Sequence, residues 1–148
     1  MRPRCSLHLV ILVFFLASLA AGCSQGGTGI VVQDPFARPA PAAGSGGAFM
    51  IIVNNTAQAD RLVSAQSPAA MMVELHETVN EGGVMKMVHQ PQGFEVPARG
   101  RVELKPGGKH VMLMGLKNAL EAGQTIQITL KFEKAGEMTI DVPVREMK

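Results

Sequence analysis

The residues with chemistry to offer in this chain are histidines and methionines, and they fall in alternating runs. In His110-Val111-Met112-Leu113-Met114 an extended backbone puts His110, Met112 and Met114 on one side and Val111 and Leu113 on the other. Val73-Glu74-Leu75-His76 sorts the same way, with Glu74 and His76 opposite the aliphatic pair, and Val84 to His89 collects Met85, Met87 and His89 on one side. Three segments thus offer imidazole or thioether away from an aliphatic side. Thioether sulfur is a soft, uncharged donor that magnesium and calcium do not select, and imidazole suits copper and zinc, so a site combining the two favours Cu(I). Zinc would normally recruit thiolate or carboxylate. Imidazole must be unprotonated to bind a metal, so affinity falls on acidification.

Nine of the ten methionines lie beyond the initiator, and for Met50, Met71 and Met138 packing of an irregular core is the expected role. The elements that must position the others read as short strands: 48–54, 60–65, 71–79, 84–89, 93–96, 101–104, 110–113, 125–133 and 137–144. Turn signals such as Asn54-Asn55, Gly82-Gly83 and Pro106-Gly107-Gly108 separate most of them. Thr125 to Phe132 alternates apolar and polar residues over its length, as a strand of a two-sheet sandwich does. Pro35 to Gly47 is rich in proline, alanine and glycine and reads as a long surface loop, and 116–121 offers at most one helical turn. The fold class is all-β.

The chain of 148 residues suits one domain, and its formal charge is only +2. Arg2 and Arg4 account for that excess; the rest carries twelve positive and twelve negative side chains, which excludes nucleic-acid binding by bulk electrostatics. A basic start, an apolar run from Leu9 to Ala21 spanning about 20 Å as a helix, and small residues before Cys23 make residues 1–22 a secretory signal peptide. Ser18-Leu19-Ala20-Ala21-Gly22-Cys23 resembles a lipobox, with Ala20 where leucine is usual, so Cys23 is the expected lipidation site and 23–29 a flexible tether. Acyl chains contribute about 0.8 kcal/mol per buried methylene, enough for two or three to hold a protein on a membrane. Cys5 leaves with the signal, so the domain over 30–148 folds without a disulfide, and a His and Met site suits an oxidising envelope where thiolates would be lost.

From Leu75 to Lys134 the chain resembles the periplasmic copper chaperones of the PCu(A)C family. His76 is followed by ten residues to Met87, twenty-two more to His110, then Val111 and Met112. Leu104-Lys105-Pro106-Gly107-Gly108 and His110 to Leu116 carry the likeness further, and a weaker similarity runs from Ile30 to Val144. Phe36 and Phe49 stand where members often have larger or hydroxylated aromatics. The resemblance implies a cupredoxin-like Greek-key β-sandwich that binds Cu(I) through His76, Met87, His110 and Met112. It further implies delivery to a thiol-containing assembly factor or the CuA-bearing subunit of cytochrome c oxidase. Met85, His89 and Met114 remain as supporting or substitute ligands, with packing the simpler reading.

Two other readings fit the same residues. One is a copper storage or resistance protein with no dedicated recipient; the other is a surface lipoprotein with an interaction role and no metal. An enzyme is not expected, because the chain has no hydrolytic serine motif, phosphate-binding glycine loop or zinc-protease helix.

Overall fold

The computed structural model describes residues 29–146. The expected signal peptide and Cys23 lie outside the described residues, as does Met147. The described residues contain no helix and form β1 (Ile30–Ala37), β2 (Ser45–Asn54), β3 (Asp60–Gln66), β4 (Ala70–Glu81), β5 (Val84–His89), β6 (Phe94–Val96), β7 (Arg101–Leu104), β8 (Lys109–Leu116), β9 (Thr125–Phe132) and β10 (Gly136–Pro143). One sheet runs β1-β2-β8-β4-β5, with β7 sharing the edge of β2 that β8 also uses; the other runs β10-β9-β3-β6. Every named strand pair is antiparallel, and the chain crosses between the sheets after β2, β3, β5, β6 and β8.

Inward-facing Ile52, Leu62, Leu75, Val111, Leu113, Ile128, Leu130, Phe132 and Val142 are buried between the sheets, which supplies the hydrophobic stabilisation of a domain whose described residues include no cysteine. Met50 joins this core and Met138 packs against it, as expected. Met71 does not: it shares the parity of Val73 but stands one residue into β4 and is 82% exposed. The proline-rich stretch from residue 35 is less of a loop than its composition suggests. β1 continues through Pro35 to Ala37 because the register shifts between Gln33 and Phe36, a bulge that absorbs a residue without a backbone N–H. Ser45 to Gly47 at the far end already belongs to β2 and pairs with Met114 to Met112. Residues 116–121 comprise the end of β8, a bend and an isolated bridge, Ala40 to Leu120, with no helical turn.

Two local features set the position of the chemistry. Gly82 and Gly83, at φ of 62° and 90°, close a two-residue loop between Glu81 and Val84, a turn that needs positive φ at both positions and locks the β4–β5 register. The turn from β7 to β8 is held by Gly108 N–H donating to Lys105 O at 3.0 Å and Lys105 N–H donating to Lys109 O at 2.8 Å, which delivers His110 directly into β8.

Candidate metal centre

β4 lies between β8 and β5, so His76 is registered opposite His110 on one side and His89 on the other. Directly paired residues project to the same face, and the three imidazoles form one row with ring centroids 5.9 Å and 5.6 Å apart. The flanking rows on that face pair Glu74 with Met112 and Thr78 with Met87. Pairing thus gathers His76, Met87, His110 and Met112 onto the outer face of one sheet.

Part of that face is covered. Arg38, Pro39 and the β7–β8 turn border an open cavity of about 300 Å³, whose other lining residues include Met87, His110, Met112, Thr78, Phe49 and Gly47. Gly47 sits opposite Met112, and a Cβ there would come 2.8 Å from Cζ of Phe49, so only glycine leaves that ring its place. The Phe49 ring stands 6.2 Å from that of His110, which is 5% exposed although it projects from the outer face. Met87 is 61% exposed on β5, a strand exposed at every residue. The site therefore has one shielded imidazole and one open thioether. His76 does not line the cavity; its ring lies against that of His110, and 13% of its side chain is exposed.

Hydrogen bonds orient both imidazoles. His110 Nδ1 lies 2.9 Å from Gly108 O, a carbonyl that can only accept and that also receives the Thr78 N–H at 3.1 Å. His76 Nε2 lies 2.8 Å from Glu74 Oε2, while His76 Nδ1 is buried with no hydrogen-bond partner. The hydrogen bond from His76 holds the Glu74 carboxyl below its ordinary range, against the opposing effect of desolvation and with electrostatic help from His89 and His76. An orphaned buried nitrogen is costly unless something binds it. Among the described residues no group of three or more His, Cys, Asp or Glu side chains is placed to hold a metal ion. The thioethers of Met87 and Met112 lie beside the imidazoles, and such a mixed donor set would suit a soft monovalent ion.

The remaining candidates fall on the same face: Met85 and His89 are exposed on β5, His89 with its ring 5.6 Å from that of His76, and Met114 is half-buried opposite Met72. Sequence reasoning missed Met72, an exposed methionine four residues before His76 and hence of the same parity. It also placed Glu74 beside His76 without recognising their contact, for which the i, i+2 spacing was the available signal. Phe49 and Gly47 had no local signal, because their role arises from pairing with β8.

The structure thus defines an antiparallel β-sandwich with imidazole and thioether groups gathered on one outer face. The family model described as "Putative lipoprotein LpqE-like" matches residues 30–144. Among solved structures, the chain is similar to "Copper-bound PCuAC domain from PmoF2", at 31% identity and a TM-score of 0.65, covering 80% of this chain and 93% of that one. It is also similar to "Solution structure of CuI-DR1885 from Deinococcus Radiodurans", at 34% identity and a TM-score of 0.61, covering 81% and 82%. Among curated proteins, "Putative lipoprotein Lxx21020" of Leifsonia xyli subsp. xyli is 44% identical over 107 residues, 71% of this chain and 64% of that protein. "Uncharacterized protein RP573" of Rickettsia prowazekii is 32% identical over 96 residues, 65% of this chain and 53% of that protein. The matches thus span between half and two thirds of those relatives' length. The chain belongs to the LpqE-like family of PCuAC proteins, and its fold is the cupredoxin-like Greek-key β-sandwich.

Proposed function

We propose that this protein is a copper carrier of the cell envelope that binds Cu(I) through His76, Met87, His110 and Met112. The observation that carries the reading is the convergence of Met87, His110 and Met112 on one cavity beside His76, whose buried Nδ1 has no partner. Solved relatives described as copper-bound and as CuI support the identity of the ion. All four donors are neutral, so the ion keeps its charge and remains attractive to an anionic thiolate. Met87 is the exposed donor, and an incoming thiolate displaces it first, with His110 the last to let go. Copper stays monovalent and no free ion forms. Export and lipidation at Cys23 would hold the carrier at a membrane, within reach of an acceptor such as a thiol-containing assembly factor or subunit II of cytochrome c oxidase. The protein is a carrier, not an enzyme.

Anaerobic titration with Cu(I) against a competing chelator, followed by copper K-edge absorption, tests the reading. The expected result is one Cu(I) per chain with both nitrogen and sulfur as neighbours. Lack of stoichiometric binding, or a shell without sulfur, would overturn it. In cells, impaired oxidase assembly at low copper on loss of the protein supports delivery, whereas a defect confined to survival at high copper refutes it.

A further inference from the structure

Resting on that reading, we propose that Glu74 is a positioning residue that holds His76 in its Nε2–H form and presents Nδ1 to the metal, while His110 presents Nε2. The two imidazoles would then bind one ion through unlike nitrogens. A neutral imidazole has one donor nitrogen and one acceptor nitrogen, and its hydrogen-bond partner selects which is which. An ionised carboxylate only accepts, so Glu74 Oε2 at 2.8 Å requires the proton on His76 Nε2. The lone pair is then on Nδ1, the atom found buried and without a partner. For His110 the same logic runs the other way: Gly108 O at 2.9 Å requires the proton on Nδ1 and leaves Nε2 free. Backbone carbonyl and side-chain carboxylate thus set opposite tautomers in two rings 5.9 Å apart.

The contact between Glu74 and His76 is sheltered, with side chains 26% and 13% exposed, and both residues lie on the strand between β8 and β5. Neither ring has to exchange its proton between nitrogens before binding. Glu74 also brings a negative charge to the second layer around the ion, which no ligand supplies. Partners of this kind typically govern metal affinity by about 10- to 100-fold.

The test is imidazole nitrogen spectroscopy on the 15N-labelled protein, first metal-free and then with one equivalent of Cu(I). Metal-free wild type is expected to show His76 protonated on Nε2 and His110 on Nδ1. Cu(I) is expected to shift His76 Nδ1 and His110 Nε2. In Glu74→Ala the His76 signals move to the average of the two tautomers, His110 stays as it was and so reports an intact fold, and Cu(I) affinity falls about 10- to 100-fold. Glu74→Gln, whose amide oxygen still accepts, restores the tautomer and most of the affinity. A His76 protonated on Nδ1 in wild type, a Cu(I) shift at His76 Nε2, or an unaltered tautomer in Glu74→Ala overturns the proposal while leaving the copper reading in place. Failure of Cu(I) to shift any imidazole nitrogen overturns the copper reading itself, and this proposal with it.

Discussion

Replacing Met87 or Met112 by leucine removes a sulfur and keeps nearly the same volume, which separates metal binding from packing. β5 is exposed throughout, so Met87→Leu changes folding stability by no more than about 0.5 kcal/mol. Met112 is half-buried against the Phe49 and Gly47 side of the cavity, and its leucine variant costs under about 1.5 kcal/mol. The effect on copper is far larger. If a four-donor site is worth about 10 to 16 kcal/mol, as structural zinc sites are, an equal share per donor is about 2.5 to 4 kcal/mol. At about 1.4 kcal/mol per tenfold change, each variant loses roughly 10²- to 10³-fold in Cu(I) affinity. Competition against a chromogenic Cu(I) chelator measures the affinity, and urea denaturation of the metal-free variants checks the fold. An unchanged dissociation constant in either variant removes that methionine from the site, and a comparable loss of affinity and stability together would mean the residue acts through folding.

Asp60 is buried at the start of β3, which opposes its ionisation, but N–H donors from Lys134, Arg61 and Ala135 outweigh that effect and hold its carboxyl below its ordinary range. Its charged form therefore stabilises the fold above the unfolded value of 3.8, and that stability is lost as pH falls through the lower folded value. Asp60→Asn is accordingly expected to cost about 1 to 3 kcal/mol near neutrality, with the gap to wild type closing on acidification in thermal or urea melts. Mild peroxide should convert exposed Met87 to its sulfoxide before half-buried Met112, lowering Cu(I) affinity in step, and methionine sulfoxide reductase should restore it. Peptide mapping by mass spectrometry follows the order of oxidation. Mass spectrometry of the mature N-terminus is expected to find acylated Cys23; an unmodified cysteine refutes membrane anchoring by lipid.

Much of the fold was legible because a strand's side-chain period is short and local. Thr125 to Phe132 alternates and forms β9, and Gly82-Gly83 marks the turn that joins β4 to β5. The first strand was hidden because Asp34 and Pro35 interrupt it, and only pairing with β2 across a bulge makes an extended Phe36 and Ala37 worthwhile. Residue type misled at Met71: methionine is a ready core filler, but its type does not tell whether anything covers its side at the end of a strand. The same limit hid the burial of His110, to which Phe49, far away in the chain, contributes together with the adjacent β7–β8 turn.

The order of residues by itself determined the donor types, their parity along each strand and the spacing shared with a family, since these need nothing beyond local backbone geometry. Which strands adjoin was decided only by tertiary structure, because pairing between strands distant in sequence depends on the common core that β4 and β8 help to bury. That pairing put His76 between His110 and His89 and drew Met87 and Met112 toward one cavity, whereas the hydrogen bonds that orient His76 and His110 come from residues two positions earlier in the chain.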